Sequence, residues 1–443
     1  MSPPHPGFPI ENPITSYWLK TPHPLASYRS SPTVPNHCDI AIIGTGLAGV
    51  ATAYHILSGP HAEGVKPSVV LLEARQVCSG ATGRNGGHTK LAITIAKELY
   101  DSYDEEAAAQ VTYHQLEQLS ALKEVVEKEG IECELKVTRS FDVFFDGNHA
   151  RDIREFLYVK KSEGVAWARE VEWIEEADVE RITGVVNGKG AVGVPAVSLW
   201  PYKLVTALLS RVLELGGQLY TETLVTNMEG SSPTTLLTSR GTLIAKKTIF
   251  ATNAYTGALL PQYKGFITPV KGQNSHLAPL PSFRPPIPLK NTYNLRFSTE
   301  YADYLVPQPN GTIILGGAKW TYDTDQASWW NTVDDRTVIN NGATAHFDSV
   351  MARHFHGWED ANANHDMVWS GIMGYTPDTL PHVGRVPGSQ CQWILAGFNG
   401  AGMVMIFTMT RAIASMVVKG LEYEETGLPG LFKSTSERLA VRQ

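Results

Sequence analysis

The chain has 443 residues, of which 43% are hydrophobic and 18% charged, a composition typical of a globular protein with two connected domains. A net charge of −7 without a basic block argues against a nucleic-acid partner, and the apolar runs are too short to cross a membrane. The four cysteines lie far apart and neither terminus matches a targeting signal, so we expect a cytosolic protein without a disulfide or a metal.

The first 37 residues predict an extended N-terminal arm. Nine prolines fall among them, and each proline removes a backbone donor and fixes its own φ angle, which prevents a regular helix. The pattern does not indicate what this arm does.

The next segment predicts a dinucleotide-binding βαβ unit. A short β-branched run after Cys38 ends in the glycines Gly44, Gly46 and Gly49, and a helix-like segment follows at once. A second apolar run then ends in Glu73. In such units the glycines permit a tight turn, a close approach to a pyrophosphate and helix–strand packing, while the acid accepts hydrogen bonds from a ribose. The negative charge of Glu73 argues against NADP, whose ribose carries a phosphate.

Three later segments suit a backbone pressed against a flat ligand. Ser79–Gly87 is a run of small residues in which Arg84 and Asn85 are the expected donors. The strand-like segment Ile249–Asn253 ends in small polar residues, and Trp393–Met403 reads as a strand, a glycine turn and a helix start. A helix start of this kind favours an electronegative group.

The remaining chain alternates helical and strand-like patterns. Residues 95–129 predict one or two helices that end at Gly130, and Pro201 opens a further helix that Gly216 closes. Residues 266–320 are rich in strand-forming patterns. The nucleotide-binding features therefore lie at the start, middle and end of the chain, which predicts a discontinuous cofactor domain.

Together these residues resemble the D-amino-acid oxidase superfamily of FAD-dependent oxidoreductases, and most of all the γ-glutamylputrescine oxidase-like amine oxidases. The segment Ala81–Gly87 carries the subfamily-level likeness. The resemblance implies an α/β (α+β) fold, in which a FAD-binding Rossmann-like domain is joined to a discontinuous second domain built on a large mixed β-sheet. The other motifs that carry it are Gly44-x-Gly46-x-x-Gly49 with Glu73, Leu315-Gly-Gly317, Trp369-x-Gly371 with Thr376-Pro-Asp378, and Gly397–Gly402.

The resemblance also implies how the chain divides into domains. After the arm (1–37), the expected parts are a FAD-binding domain (38–100, 196–265 and 365–425), a substrate-binding domain (101–195 and 266–364) and a C-terminal tail (426–443).

The implied cofactor is FAD, and we expect it to be bound non-covalently. Relatives that tether the flavin use a cysteine at the position of Gly371 or a histidine at the position of Arg84, and His88 is only a nearby alternative. The expected cofactor contacts are Gly44, Thr45, Gly46, Leu47, Ala48, Gly49, Glu73, Ala74, Arg75, Gly80, Ala81, Thr82, Arg84, Asn85, Gly86, Gly87, His88, Val225, Ala251, Thr252, Asn253, Gly371, Asp378, Gly397, Asn399, Gly400, Gly402 and Met403.

At the substrate end, the resemblance places Gln308 where glycine oxidase-like enzymes have an arginine that grips a carboxylate. A glutamine cannot pair bidentately with a carboxylate, which favours a simple amine. Arg296 is the alternative carboxylate ligand. Lys271 and Lys319 are the alternatives for the lysine that activates oxygen in sarcosine oxidase. Aromatic residues are expected around the reacting centre: Trp320, Phe398 and Tyr293, with Trp200 and Tyr255 as further candidates.

The implied chemistry is oxidation of a C–N bond of a primary or secondary amine to an imine. A hydride passes to FAD, and O2 is the expected acceptor that reoxidises the flavin and yields H2O2. Three alternatives remain open from sequence: an amino-acid oxidase or biosynthetic flavin oxidase, a dehydrogenase with another acceptor, and a flavin-binding protein without turnover. The identity of the amine and the oligomeric state are not indicated.

Overall fold

The computed structural model describes residues 7–59, 66–279, 286–339 and 341–440. Within these ranges the α-helices are α1 (Leu47–Ser58), α2 (Ile93–Ser102), α3 (Glu105–Glu129), α4 (Gly147–Ser162), α5 (Val179–Thr183), α6 (Pro201–Glu214), α7 (Asn341–His354), α8 (Ile406–Lys419) and α9 (Ser436–Ala440).

The strands of the same ranges form two sheets. They are β1 (His37–Ile43), β2 (Val69–Leu72), β3 (His88–Lys90), β4 (Lys136–Phe144), β5 (Glu172–Ile174), β6 (Gly190–Ser198), β7 (Gln218–Tyr220), β8 (Val225–Glu229), β9 (Thr234–Thr238), β10 (Gly241–Phe250), β11 (Thr268–Ala278), β12 (Thr292–Arg296), β13 (Ala302–Pro307), β14 (Ile313–Gly316), β15 (Asn364–Tyr375), β16 (His382–Arg385) and β17 (Gln392–Ala396).

The first sheet contains the predicted βαβ unit. In the described chain its order is β16-β17-β10-β1-β2-β7, and β9 and β8 extend from β10. Strand β1 runs parallel to both β2 and β10, with Ile43 opposite Leu72 on one side and Phe250 on the other. The apolar strands are buried on both faces because α1, α6 and α8 pack on one side and a second apolar cluster covers the other.

The second sheet is large and mixed. In the described residues its order is β15-β11-β14-β13-β12-β4-β6-β3, with β5 paired to β6. Most neighbours are antiparallel, whereas β12 and β4 are parallel. The α/β fold class with a large mixed second sheet is thereby confirmed. Helix α3, which ends at Gly130 with φ +63°, and helix α6, which begins at Pro201, also confirm the sequence prediction.

Parallel strands place their carboxyl ends at one edge of the first sheet. The turn after β1, Glu73 after β2, and Ala251–Asn253 after β10 all lie there. Gly397 follows β17 at the same edge. Ligands of open α/β sheets bind outside such carboxyl ends, so this edge is the place to look for a site.

The sheets do not follow the predicted domain ranges at every strand. Strands β3 and β15 belong to the second sheet, although β3 and all of β15 after Asn364 fall within ranges predicted for the cofactor domain. Strand β3 follows the glycine-rich segment 79–87, and β15 contains Gly371. The predicted cofactor domain therefore shares these segments of chain with the second sheet. The division into domains stays a prediction, and residues 1–6, 60–65, 280–285, 340 and 441–443 of its ranges lie outside the described residues.

Candidate active site

A cavity of about 810 Å³ is lined by both sheets. One part of the lining follows the carboxyl ends of β1, β2 and β10, and another part comes from β11, β12 and β15 of the second sheet. The volume falls within the range of small-molecule and cofactor sites.

The turn between β1 and α1 directs backbone groups at this cavity. Gly44 has φ +108°, and a Cβ atom there would lie 2.6 Å from the Ala251 carbonyl oxygen, so only glycine fits. Gly46 is the N-cap of α1 and supplies no capping side chain. The first N–H groups of a helix have no partner within the helix, which suits them to a pyrophosphate. In α1 the first of them, that of Leu47, donates to Thr82 Oγ1 at 3.2 Å.

Gly49 has a different role from the other two glycines. It does not line the cavity, and a Cβ atom at this position would overlap the Gly44 carbonyl oxygen. The third glycine of the motif therefore lets helix and turn pack together, whereas the first two face the site.

Glu73 lies beside the glycine turn and lines the cavity. Its Oε2 accepts hydrogen bonds from the backbone N (3.0 Å) and Oγ1 (2.7 Å) of Thr45, and its Oε1 accepts one from the backbone N of Arg75 (2.9 Å). A carboxylate offers about four lone-pair positions, so Glu73 retains capacity for a ribose hydroxyl.

Two polar side chains of the glycine-rich segment 79–87 hydrogen-bond to backbone carbonyl groups and fix its conformation. Arg84 is almost fully buried; its Nε donates to the Ser79 carbonyl oxygen (2.7 Å) and its Nη1 to that of Ser370 (2.8 Å). Asn85 Nδ2 donates to the Thr82 carbonyl oxygen at 3.0 Å. Both residues line the cavity, but these side-chain N–H groups donate to backbone carbonyl oxygens and not toward the cavity. Arg84 therefore shapes the segment.

Most of the expected cofactor contacts line this cavity, and five do not. Leu47 lies in the apolar core, Gly87 lies under the Trp18 ring, and Asp378 forms an ion pair with Arg438. Gly397 donates its backbone N–H to Asn253 Oδ1 at 3.1 Å. The fifth is the packing glycine Gly49. The residues that do line it are Gly44, Thr45, Gly46, Ala48, Glu73, Ala74, Arg75, Gly80, Ala81, Thr82, Arg84, Asn85, Gly86, His88, Val225, Ala251, Thr252, Asn253, Gly371, Asn399, Gly400, Gly402 and Met403.

Four of the residues expected at the substrate end lie elsewhere: Gln308, Trp320, Tyr293 and Trp200, whose Nε1 donates to the Trp18 carbonyl oxygen at 3.2 Å. Gln308 follows β13 at the hairpin to β14, and its Nε2 donates to the Val306 carbonyl oxygen. Trp320 is 48% exposed and packs edge-on against His346. Tyr293 faces away from the cavity, because neighbours on a strand alternate between the two faces of the sheet.

The position of Tyr293 follows from the face of β12 on which its side chain lies, opposite to the cavity. Tyr293 belongs to an apolar cluster of the second sheet that includes Phe355, and its hydroxyl donates to the Thr183 carbonyl oxygen (3.0 Å). Asn294 and Arg296 instead line the cavity. The amine preference that was argued from Gln308 loses its basis, since this residue does not reach the cavity.

The other expected substrate-end residues do line the cavity, namely Arg296, Lys271 and Phe398, and so does Tyr255. Lys271 is almost fully buried, with its Nζ 3.2 Å from Thr337 Oγ1. Burial lowers the pKa of Lys271, although nearby carboxylates act in the opposite sense. Lys319 and the aromatic pair Trp329 and Trp330 also contribute to the lining.

A buried charge cluster forms one wall of the cavity. Asp142 on β4 is fully buried and pairs with the Lys90 ammonium on one side and with Arg296 Nε (2.8 Å) on the other. With its amide oxygen turned toward the cations, Asn294 accepts from Arg296 Nη2 (3.2 Å) and from Lys90 Nζ (2.9 Å). Two cations and one carboxylate leave this wall with one net positive charge while Lys90 is protonated.

Sequence reasoning missed Lys90, Asn274, Asn294 and Tyr304. The signal for Tyr304 was present in two glycines: a Cβ atom at Gly86 would lie 2.5 Å from its ring, and one at Gly316 would also collide with it. The Tyr304 hydroxyl bonds to Asn274 Oδ1, and Asn274 Nδ2 donates to the Arg84 carbonyl oxygen at 2.6 Å. Strand alternation from Arg296 would have indicated Asn294.

Within the described residues, no helix is both long and apolar enough to span a membrane. The same part of the chain assembles no group of three or more histidine, cysteine, aspartate or glutamate side chains suited to a metal ion.

Comparison with known proteins gives consistent relatives. "Probable oxidoreductase OrdL" of Haemophilus influenzae is 22% identical over 394 residues, which cover 86% of this chain and 83% of that protein. Gamma-glutamylputrescine oxidoreductase of Escherichia coli is 24% identical over 226 residues, half of each chain. The crystal structure of glycine oxidase from Geobacillus kaustophilus shares the fold, with a TM-score of 0.70 at 20% identity, covering 89% of this chain and 99% of that one.

The family model described as DAO, FAD dependent oxidoreductase, matches residues 39–416, which include both sheets. This chain therefore belongs to the DAO family of FAD-dependent oxidoreductases, and its cofactor is FAD, for which non-covalent binding is typical.

Proposed function

We propose that this enzyme oxidises the C–N bond of a primary or secondary amine to an imine, with O2 as the final acceptor. The observation that carries the proposal is the shared cavity, where the dinucleotide-binding turn and side chains of the second sheet line one enclosure. In the balanced reaction, the substrate loses a hydride from carbon and a proton from nitrogen, and O2 becomes H2O2. Bound FAD supplies the two-electron acceptor between them.

The chain's residues fit this cofactor. Gly44 and Gly46 let the chain turn closely beside the cavity at the start of α1, where a pyrophosphate would lie, and Glu73 retains acceptor capacity for a ribose. No cysteine stands among the cavity-lining residues, and the position that the resemblance gives to a tethering histidine is occupied by Arg84. These observations support non-covalent binding.

The substrate end favours a neutral amine. Tyr304, Tyr322 and Tyr375 line this part, and burial raises the pKa of each phenol above its ordinary value. The same desolvation lowers the pKa of a bound ammonium, as it does for Lys271. A neutral amine has the lone pair that assists departure of a hydride from the neighbouring carbon, so oxidation needs no strong general base.

A second candidate is oxidation of an amino acid. Lys90, Lys271, Arg296 and Lys319 line the substrate end, whereas Glu73 is the one carboxylate residue among all the lining residues. Asp142 offsets one of these charges, and Asp323, which pairs with Lys319, offsets another. The remaining positive charge favours a substrate that carries a carboxylate, and Arg296 is the residue placed to receive it.

The two candidates are separated by a matched pair of substrates. An amine and the amino acid with the same side chain are each mixed with the oxidised enzyme under argon, and bleaching of the flavin is followed by stopped flow. Faster reduction by the amine supports the first proposal. Faster reduction by the amino acid, lost in Arg296→Met, establishes the second.

O2 as the acceptor is tested separately. After anaerobic reduction, air is admitted, and we expect recovery of the yellow colour with one peroxide formed per substrate oxidised. Lys271 lies in the cavity wall and is proposed to assist this step, so Lys271→Met is expected to slow reoxidation more than reduction. A flavin that stays reduced in air would indicate a dehydrogenase with another acceptor.

A further inference from the structure

The N-terminal arm passes along the elements that form the cofactor end of the cavity. Between Gly7 and Leu19 it contains one short 3₁₀ turn, Tyr17–Leu19, and is otherwise irregular, with a bend at Glu11 and Asn12. Neither the family match, which begins at residue 39, nor the sequence motifs include this segment.

The start of the described arm is part of the cavity wall. Phe8 and Pro9 line the cavity, and Phe8 is only 6% exposed. Phe8 belongs to the same apolar cluster as Val225 and Leu259, which also line the cavity. The backbone N of Thr223 donates to the Glu73 carbonyl oxygen at 2.8 Å, which places this wall beside the expected ribose ligand.

The arm is tied to the ribose ligand through a buried arginine. Arg75 Nη1 donates to the Ile10 carbonyl oxygen (3.2 Å) and pairs with Asp335 (2.9 Å). The backbone N of Arg75 donates to Glu73 Oε1 at 2.9 Å. The Ile14 backbone N donates to the Asp335 carbonyl oxygen at 2.8 Å, so the arm, Asp335 and Arg75 form one connected set.

Two later residues of the arm, Ser16 and Trp18, hydrogen-bond to the backbone of the glycine-rich segment 79–87. Ser16 Oγ donates to the Gly83 carbonyl oxygen, and Trp18 Nε1 donates to that of Asn85 at 2.6 Å. Trp18 is 1% exposed, and its ring occupies the space that a Cβ atom at Gly87 would need. These bonds fix the backbone of a segment whose Gly80–Asn85 face lines the cavity.

We propose that the N-terminal arm is part of the FAD site: Phe8 and Pro9 form the wall at the adenosine end, and Ser16 and Trp18 hold the glycine-rich segment in its binding shape. Because arm and cofactor then share one enclosure, each stabilises the bound form of the other. The inference depends on the FAD cofactor and not on which substrate is oxidised.

The test uses the full-length holoenzyme. It is diluted, and released FAD is followed by its fluorescence to give the dissociation rate and Kd. For Phe8→Ala we expect FAD to bind about tenfold more weakly, which corresponds to about 1.4 kcal/mol. Val34→Ala is the matched control, since Val34 is also an arm residue, 6% exposed in the same apolar cluster, but does not line the cavity. Its Kd should stay within twofold of wild type.

Two outcomes would overturn the proposal: a Phe8→Ala enzyme with unchanged FAD affinity, or a Val34→Ala enzyme weakened to the same degree. Should Phe8→Ala fail to fold, hydrogen exchange of the wild-type arm decides the matter. Backbone amides of residues 8–18 should exchange more slowly in the FAD-loaded protein than after the FAD has been removed. Equal exchange in the two forms would contradict a shared enclosure.

Discussion

The two ends of the cavity are built by different means. At the cofactor end, the lining is formed mainly by backbone, from a glycine turn, the start of a helix and closely packed small residues. At the substrate end, side chains from β3, β4, β11 and β12 meet across the second sheet. The first kind of site is defined by consecutive residues, whereas the second depends on how distant strands pair.

The largest effect, on flavin content, is expected from Gly44→Ala, which changes the glycine turn at the cofactor end. Its positive φ and the close Ala251 carbonyl oxygen leave no room for a methyl group, so we expect purified protein with little or no bound flavin. Gly80→Ala is the control, because Gly80 also lines the cavity but a Cβ atom there meets no atom within 4 Å. The ratio of flavin to protein absorbance measures both. Full flavin content in Gly44→Ala would refute the backbone account.

The next largest effect concerns the side-chain end. Asp142→Asn leaves Lys90 and Arg296 buried without their shared carboxylate, and breaking a buried pair costs about 3–5 kcal/mol of unfolding free energy. Asp101→Asn breaks the exposed pair with Lys97 and should cost no more than about 1 kcal/mol. Denaturant unfolding of the two variants gives the comparison. Equal losses would show that the cluster is not buried as described.

A smaller effect, on FAD affinity, is expected from substitution of Glu73. Glu73→Ala removes a charged acceptor, which corresponds to about 1.5–3 kcal/mol, or roughly tenfold to a hundredfold in FAD affinity. Glu73→Gln keeps one acceptor oxygen and should lose less. Unchanged affinity in Glu73→Ala would mean that this side chain does not hold the ribose.

The pH dependence of anion binding sharpens the substrate end further. Burial lowers the pKa of Lys90 to about 8, so its charge, present below pH 8, is lost as the pH rises through that value. Binding of a non-oxidisable carboxylate, followed by the flavin spectrum, should therefore weaken by roughly tenfold above pH 8. Lys90→Met should bind weakly at all pH values. A wild-type affinity that is constant from pH 7 to 10 would remove Lys90 from the site.

Lys90 also makes stability depend on pH. Its pKa in the folded protein lies below that of an unfolded lysine, so between about pH 8 and 10.5 the unfolded chain binds more protons. Unfolding free energy is therefore expected to rise with pH across this window through this group. Lys90→Met should lack that contribution.

What was predictable from sequence follows the same division. The βαβ unit was evident because its residues are consecutive and their spacing is fixed by helix and strand geometry. The glycine-rich segment is also consecutive, and the α/β fold with its second domain followed from the family resemblance that these motifs carry. Gln308 was misplaced because a hairpin position cannot be fixed without the register of β13 against β14. Asp142 and Lys90 were missed because a buried ion cluster has no local pattern.

The reaction itself is tested most directly by anaerobic mixing of the oxidised enzyme with a panel of amines and amino acids. The account predicts that at least one substrate with hydrogen on the carbon next to nitrogen bleaches the flavin, and that imine-derived aldehyde, ketone or keto acid forms in equal amount. A flavin that dithionite reduces but no amine or amino acid bleaches would contradict C–N oxidation as the function of this enzyme.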